Sequence, residues 1–174
     1  VPPGGAADFV ARLVGGKLAE QLGQTVVVVN KAGASGSTAT DFVAKAKPDG
    51  YTLLQNAIST HGIGPHLIKQ LPYDPVKDFA PVSLLVSYPF VMVVHPSVKA
   101  NSVGEFIALA RAQPGKLNYA SHSSGSATHL AGELMKTMVG IDMVHVPYKG
   151  AAPAVADLVA GRVEVLFDNP STSL

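Results

Sequence analysis

The sequence predicts an α/β fold, in which short buried strands alternate with amphipathic helices. Three observations predict this fold class. Apolar β-branched runs without polar alternation, such as residues 25–29, are typical of strands buried on both faces of a parallel sheet. Apolar residues at helical spacing lie next to these runs in the sequence. Short connections rich in Gly, Ser and Pro separate them, as is usual in doubly wound sheets.

The first half of the chain begins with a loop and a helix. Apolar residues recur at helical spacing over residues 9–22, and Gly23 follows as a natural C-terminal stop. The strand at 25–29 comes next. The later expected elements are a helix at 38–46 and strands at 51–54, 82–86 and 90–94.

The alternation restarts at Ser102, so a second α/β unit is expected to begin near Pro96. Leu130, Leu134 and Met138 are expected to line the buried face of its second helix. The predicted elements are helices at 103–112, 128–139 and 153–160, and strands at 117–120, 143–146 and 163–167.

Composition excludes several classes of function. Lys and Arg total 13 and Asp and Glu total 12, giving a formal charge of +1, so the basic footprint of a nucleic-acid binder is missing. The chain has no cysteine and therefore no thiolate metal ligands. Its histidine pairs lack zinc-motif spacing, and complete P-loop and dinucleotide-binding motifs are absent. We therefore expect no nucleic-acid partner, no metal and no cofactor.

Three short loops with little charge precede predicted helices: residues 3–7, 123–127 and 149–153. Glycine allows close approach to the main chain, and the first-turn N–H groups of a helix, together with its dipole, favour an anion. The loops therefore predict capture of a carboxylate or phosphate. The alternative is that they only cap helices, as such loops commonly do.

The serines of the second loop also raise the alternative of a small α/β serine hydrolase. Ser123, Ser124 or Ser126 would be the nucleophile, with His122 or His129 as the base. The nucleophile-elbow pattern G-x-S-x-G is absent, so a binding protein without catalytic residues is the preferred hypothesis. A structural or signalling module without ligand is a third possibility, because fold does not fix function.

Ordered motifs along essentially the whole chain resemble one family, the Bug-type receptors of tripartite tricarboxylate transporters. The motifs are Val-Pro-Pro-Gly-Gly at 1–5, Pro-Asp-Gly-Tyr-Thr-Leu-Leu at 48–54, Leu-Pro-Tyr-Asp-Pro at 71–75, Asn-Tyr-Ala-Ser at 118–121, Ser-Gly-Ser at 124–126, Val-Pro-Tyr-Lys-Gly at 146–150 and Phe-Asp-Asn at 167–169.

The resemblance implies a two-lobed, Venus-flytrap-like periplasmic binding protein, each lobe a mainly parallel sheet flanked by helices. Such a receptor delivers a small organic carboxylate, or a related amide or amino acid, to a membrane permease and performs no chemistry. The first lobe would cover residues 1–95, the second 96–169, and 170–174 would start the return to the first lobe. In this chain the first lobe would then lack its first strand and its C-terminal return, and no export signal is visible.

The resemblance also implies that main-chain amides and waters of two loops hold the ligand carboxylate. These loops are among those chosen above from their chemistry. The implied ligand-binding residues are Pro3, Gly4, Gly5, Ala6, Ala7 and Asp8 in the first loop, and Ser123, Ser124, Gly125, Ser126 and Ala127 in the second. Asp8 is expected mainly to fix its loop. Further ligand contacts are expected from Ser59, Thr60, Tyr148, Lys149 and Asp168.

Overall fold

The computed structural model describes residues 3–173 and divides the chain into two units, one through Ser87 and one from Tyr88. The first unit also contains a 3-10 turn at Ala34–Gly36 and a π-helical turn at Ser59–Ile63. Its helices are α1 (Ala6–Leu22), α2 (Ser37–Ala44) and α3 (Gly64–Leu67). The second unit contains β1 (Val91–Val94), α4 (Val103–Ala112), β2 (Asn118–Ser121), α5 (Ala127–Val139), β3 (Val144–Pro147), α6 (Ala151–Val159), β4 (Val165–Asp168) and α7 (Pro170–Ser173).

The predicted helices of the first unit are confirmed. Helix α1 covers the predicted 9–22 and begins three residues earlier. It ends at Gly23, whose φ of 62° lies in the left-handed region that glycine adopts without strain. Helix α2 matches the prediction to within two residues at either end.

The strands predicted in the first unit at 25–29, 51–54 and 82–86 are corrected by the structure. None of the three belongs to a sheet among residues 3–173. Val27 and Val82 are 75% and 86% exposed. An apolar β-branched run favours a pleated, half-buried surface, but a strand also needs a neighbour that accepts and donates its main-chain hydrogen bonds. The run alone does not specify that neighbour.

The buried centre of the first unit lies around Tyr73. Its hydroxyl donates a hydrogen bond to the main-chain oxygen of Thr60 at 3.0 Å. The Tyr73 ring lies near the rings of His61 and Phe79, with centroid distances of 6.1 and 5.9 Å. The turn at Ser59–Ile63 is thus packed against the aromatic rings of Tyr73 and Phe79.

The second unit contains a four-stranded sheet with the order β1-β4-β2-β3. Strands β3, β2 and β4 run parallel, and β1 joins the edge antiparallel to β4. The four strands predicted here are confirmed to within one or two residues at each end, and helices α4, α5 and α6 match their predictions similarly. Strand β1 precedes residue 95, where the sequence places the end of the first lobe, yet it belongs to the second unit.

Both faces of this sheet are covered by buried side chains. Side chains of successive strand residues point to opposite faces. Tyr119 and Phe167 therefore join one buried cluster, which includes residues of α4, while Ala120 and Leu166 join a second cluster with residues of α6. The carboxyl ends of the parallel strands β2, β3 and β4 lie at the same end of the sheet.

The buried face of helix α5 differs from the prediction. Leu134 and Met138 are 60% and 73% exposed, whereas Ala131, Met135 and Val139 pack against the core. The reason is an aromatic ring. A Cβ added at Gly132 would lie 2.3 Å from the ring of Tyr119, so α5 rests on the sheet with the glycine facing inward. That contact rotates the helix by about one residue from the face that apolar spacing favours.

Candidate functional site

The first predicted binding loop, residues 3–8, turns directly into helix α1. Gly5 is the N-cap residue, and it offers no side chain to cap the helix. Gly4 has a positive φ of 84°, which glycine adopts without strain. Its main-chain N–H donates a hydrogen bond to Oδ2 of Asp8 at 3.0 Å. The loop is therefore held against a carboxylate of its own helix.

Charged and polar side chains hold Asp8 in place. Arg12 donates from Nε to Oδ2 and approaches Oδ1 with its Nη2, each at 3.1 Å, and Asn30 donates from Nδ2 to Oδ1 at 2.8 Å. Hydrogen bonds from Arg12, the Gly4 amide and Asn30 hold the pKa of the Asp8 carboxyl well below its usual range. Both carboxylate oxygens are thus committed to holding the loop, as the sequence predicts for Asp8.

The other predicted residues of this loop differ in exposure. Pro3 and Gly4 are exposed, Gly5 and Ala7 are half-buried, and Ala6 is buried at the start of α1. Access to the main chain is therefore greatest on the side of Pro3 and Gly4.

Ser59 and Thr60 lie in the π-helical turn of the first unit. Thr60 is buried, and its hydroxyl donates to the main-chain oxygen of Ala57 at 3.1 Å and contacts Oδ1 of Asn56. Ser59 is half-buried. The Thr60 side chain therefore stabilises the turn, and Ser59 is the more accessible of the two.

The Ser/Gly loop, residues 122–127, connects β2 to α5 in the second unit. Ser126 is the N-cap of α5, and its Oγ accepts the main-chain N–H of His129 at 3.2 Å. The same hydroxyl donates to the main-chain oxygen of Ser123 at 2.7 Å. Gly125 has a φ of 74°, and its N–H donates to Nδ1 of His129 at 3.1 Å. Ser124 is the exposed tip, and Ser123, Gly125 and Ala127 are half-buried.

A second group of hydrogen bonds lies behind the Ser/Gly loop, and sequence reasoning missed it. Oγ of Ser121 lies 2.7 Å from Nε2 of His145 and donates to the oxygen of Ser123 at 3.0 Å. Thr128 accepts the main-chain N–H of His122 on its Oγ1, also at 3.0 Å. The oxygen of Ser123 thus receives hydroxyl donors from both ends of the loop, which fixes the loop's shape.

Asp168, at the end of β4, is fully buried. Its Oδ1 lies 2.8 Å from Nε2 of His122, and its Oδ2 accepts the hydroxyls of Thr172 and Ser173. Burial opposes ionisation, but these three partners outweigh it and lower the pKa of Asp168. The partly exposed neighbour His122, not Asp168, faces solvent at this point.

Tyr148 and Lys149 lie at the junction of β3 and α6. The Tyr148 hydroxyl donates to Oδ2 of Asp157 at 2.8 Å, and burial together with this bond raises the pKa of Tyr148 to about 12. Lys149 is exposed. The N–H of Gly150 donates to the oxygen of His122 at 2.9 Å, which joins this junction to the Ser/Gly loop. The structure therefore brings the second-unit residues together at the carboxyl ends of β2, β3 and β4.

Stacked rings lie beneath the Ser/Gly loop. The imidazoles of His129 and His145 stack with centroids 3.9 Å apart, and the ring of Tyr119 lies 5.0 Å from that of His145. The Tyr119 hydroxyl donates to Oε1 of Glu133, at 2.5 Å. Burial and the nearby His129 lower the pKa of His145, and burial with the Glu133 bond raises the pKa of Tyr119. No local sequence pattern links these residues.

The hydroxyl geometry gives serine catalysis no support. The Ser126 hydroxyl is taken by the Ser123 oxygen and the main-chain N–H of His129. Behind the loop, the Ser121 hydroxyl lies close to the His145 imidazole, but Ser121 is fully buried, so a substrate could not reach it.

Residues 3–173 contain no cluster of three or more His, Asp or Glu side chains able to hold a metal ion. Among the helices described above, none combines the length and apolar character needed to cross a membrane.

Solved structures similar to this chain include two Rhodopseudomonas palustris proteins. One, described with adipate, is 39% identical with a TM-score of 0.95, and the match covers 99% of this chain and 57% of that one. The other, MatC with bound malate, is 34% identical with a TM-score of 0.89, covering 99% and 58%. The periplasmic binding protein BugD is 33% identical with a TM-score of 0.86, covering 97% and 56%.

The chain spans about half the length of the curated relatives it matches, with 41% identity over 97% of its own length. The family model described as "Tripartite tricarboxylate transporter family receptor" matches residues 10–173. This match confirms the resemblance found in the motifs: the chain belongs to the receptor family of the tripartite tricarboxylate transporters.

Proposed function

We propose that this chain is part of a periplasmic receptor that captures a small organic carboxylate for a membrane permease and catalyses no reaction. One observation carries the proposal: in a chain of this family, the Ser/Gly loop and the start of α6 meet at the carboxyl ends of three parallel strands. Ligands of open α/β sheets bind at that end of the strands.

The chemistry of this end of the sheet favours an anion. Helices α5 and α6 both begin here, and the N-cap of α6, Gly150, has no side chain to satisfy the first-turn amides. These amides and the positive ends of both helix dipoles favour a carboxylate. Lys149 adds an exposed positive charge beside them.

We further propose that the ligand is a small dicarboxylate, because two similar proteins are described with adipate and with malate. In the first unit, the main-chain N–H groups of residues 5–7 and the hydroxyl of Ser59 would contact it, with Pro3 and Gly4 lining the loop. Asp8 and Thr60 would hold their segments in shape. In the second unit, Asp168 would act through His122. The broader classes expected from the sequence, amides and amino acids, become competitors in the test below.

A ligand screen tests the proposed function. The thermal midpoint of the protein is measured with adipate, malate, their diamides and amino acids at increasing concentration. A binder gains stability as the ligand concentration exceeds its dissociation constant. We expect dicarboxylates to raise the midpoint and diamides to leave it unchanged. No shift with any small carboxylate would contradict the proposal.

A pair of proline variants tests the use of main-chain amides. Proline is tolerated at the first position of a helix, so Ala127→Pro removes one N–H of the Ser/Gly loop while leaving α5 intact. We expect affinity for the identified dicarboxylate to fall about tenfold or more, since hydrogen bonds to charged groups contribute about 1.5–3 kcal/mol. Val103→Pro, at the same position of α4, is the matched control and should leave affinity unchanged.

The domain organisation is a separate proposal: a first lobe through residue 95, a second lobe at 96–169, and a return to the first lobe beginning at 170–174. We propose that further polypeptide covers the apolar runs of the first unit in the whole protein. Their exposure, and the greater length of the relatives, support this. In the naturally produced protein, the main-chain amides of residues 25–29 should then be protected from hydrogen exchange. Rapid exchange of these amides would contradict the proposal that further polypeptide covers them.

A further inference from the structure

The ring of His129 faces back onto the Ser/Gly loop from the first turn of α5. Its own main-chain N–H is bonded to Ser126, and its Nδ1 accepts the N–H of Gly125 at 3.1 Å. Gly125 lies at a φ of 74°, where the direction of its peptide is set by the loop rather than by regular structure. The imidazole therefore fixes the orientation of one main-chain amide in the candidate site.

Only an unprotonated ring nitrogen accepts a hydrogen bond, so this contact requires neutral His129 with its proton on Nε2. An imidazolium would direct a second N–H at the Gly125 amide. Protonation of His129 and the observed loop conformation are therefore incompatible, and histidine is the side chain that ordinarily changes charge between pH 5 and 8.

Four titratable side chains surround the His129 imidazole. His145 of β3 stacks on it, Tyr119 of β2 lies 6.5 Å away, and Glu133 and Lys136 lie on the same helix. Glu133 is committed to Tyr119 and Lys136, with Lys136 at 3.1 Å from its Oε1. A charge on His129 also lowers the pKa of its neighbour His145. These surroundings oppose two positive charges in the stack.

We infer that neutral His129 is a positioning residue for ligand binding: it holds the Gly125 amide and so keeps the Ser/Gly loop in the shape that receives a carboxylate. Protonation of its Nδ1 releases the amide and weakens binding. This inference rests on the proposed function, and it adds a pH-dependent element to the same site.

Binding measurements with adipate as the probe test the inference. Because a dicarboxylate itself takes up protons in acid, the measured quantity is the ratio of the parent's Kd to that of His129→Asn at each pH. The Asn side chain places an acceptor near the position of Nδ1 but does not titrate. We expect similar Kd values at pH 8 and a ratio that rises about tenfold once His129 is mostly protonated, as the binding-competent fraction falls.

Two further variants separate positioning from a general structural effect. His129→Ala, which lacks the acceptor, should bind adipate about tenfold more weakly than His129→Asn at pH 8. His95→Asn alters a histidine bonded to Ser97 outside the loop, and it should keep the parent's pH dependence. A ratio that stays constant with pH, or equal binding by the Ala and Asn variants, would overturn the inference.

A readout without ligand distinguishes failure of the inference from failure of the proposed function. The NMR shift of the Gly125 amide should follow pH with the midpoint of the His129 ring signals, and this response should vanish in His129→Asn. An amide shift that ignores the ring titration would overturn the inference even if adipate binds. If no carboxylate binds at pH 8, the proposed function fails, and the predicted effect of His129 on affinity fails with it. The NMR titration would still show whether His129 holds the Gly125 amide.

Discussion

The two candidate loops, one in each unit, are fixed by different kinds of chemistry. In the first unit a carboxylate, a guanidinium and an amide side chain hold residues 3–8 through Asp8. In the second unit neutral hydroxyls and an imidazole hold residues 122–127, with two hydroxyls meeting at the Ser123 oxygen. The first loop should therefore respond to salt and strong acid, and the second to protonation of the His129 imidazole.

The largest effect is expected from Asp168→Ala in the second unit. Asp168 is fully buried, and its loss leaves His122, Thr172 and Ser173 without their acceptor. We expect a destabilisation of about 3 kcal/mol. Urea unfolding followed by circular dichroism measures it, with hydrogen exchange assigning the transition to the second unit. A change below about 1 kcal/mol would show that these partners find water instead.

The same residue gives a pH dependence with a defined sign. Because the pKa of Asp168 is lowered in the fold, its contribution is fully present above the unfolded value of about 3.9 and is lost as pH falls toward the folded value. The stability of the second unit should therefore fall below about pH 4. Asp168→Asn should reduce the change of unfolding free energy with pH in this range. An unchanged pH dependence would mean that other carboxyl groups cause the loss of stability in acid.

A smaller loss is expected from Gly132→Ala, which tests the packing beneath the Ser/Gly loop. The added methyl would lie 2.3 Å from the buried ring of Tyr119. Overpacking should exceed the gain in helix propensity and destabilise the second unit by about 2 kcal/mol. Gly104→Ala is the control, because it is also in a helix and its added methyl would lie 3.9 Å from Oγ of Ser102, an ordinary contact. It should be neutral or slightly stabilising. Equal effects at both positions would contradict the packing argument.

Two serine N-caps separate stability from binding. Ser126→Ala and Ser102→Ala each remove a hydroxyl that accepts a first-turn N–H, so each should cost about 1 kcal/mol of stability. Ser126 also donates to the Ser123 oxygen, and its loss should weaken carboxylate binding as well. Calorimetric titration checks this. Equal affinity in the two variants would mean that the cap does not shape the loop.

The smallest effect is expected from Arg12→Ala on the affinity for the carboxylate ligand. The guanidinium is already bonded to Asp8 and to Asn30 in the first unit. If main-chain amides dominate recognition, affinity should change less than about threefold while the fold survives. A loss of about a hundredfold would mean that Arg12 binds the ligand anion.

Raising the salt concentration should speed hydrogen exchange in residues 3–8 more than in the Ser/Gly loop, because only residues 3–8 are held by an exposed charge.

The sequence predicted helices α1, α2, α4, α5 and α6, the strands of the second unit and the positions of the two loops, because these depend on local patterns. It did not predict the short helices α3 and α7. Apolar spacing and an N-cap serine specify α4 and α5 directly. The strands of the first unit were wrong, since the run at 25–29 has no ladder partner in the part of the chain described. Local composition cannot supply that partner.

The network behind the Ser/Gly loop could not be predicted for a related reason. Ser121 and His145 are 24 residues apart and meet only when β2 and β3 pair in parallel. Likewise, the inward face of α5 depends on the ring of Tyr119 opposite Gly132, a contact without a sequence signature beyond the glycine itself. A glycine within a predicted helix was the available signal.

The position of β4 in the sheet has a consequence for synthesis on the ribosome. This strand lies between β1 and β2, yet it is the last of the four to be made. Until residues 165–168 leave the exit tunnel, the emerging chain can pair β2 with β3, but β1 has no neighbour in this sheet and waits through about seventy residues of elongation. The nascent chain therefore carries an unpaired apolar edge during that interval, which is the kind of surface that chaperones bind.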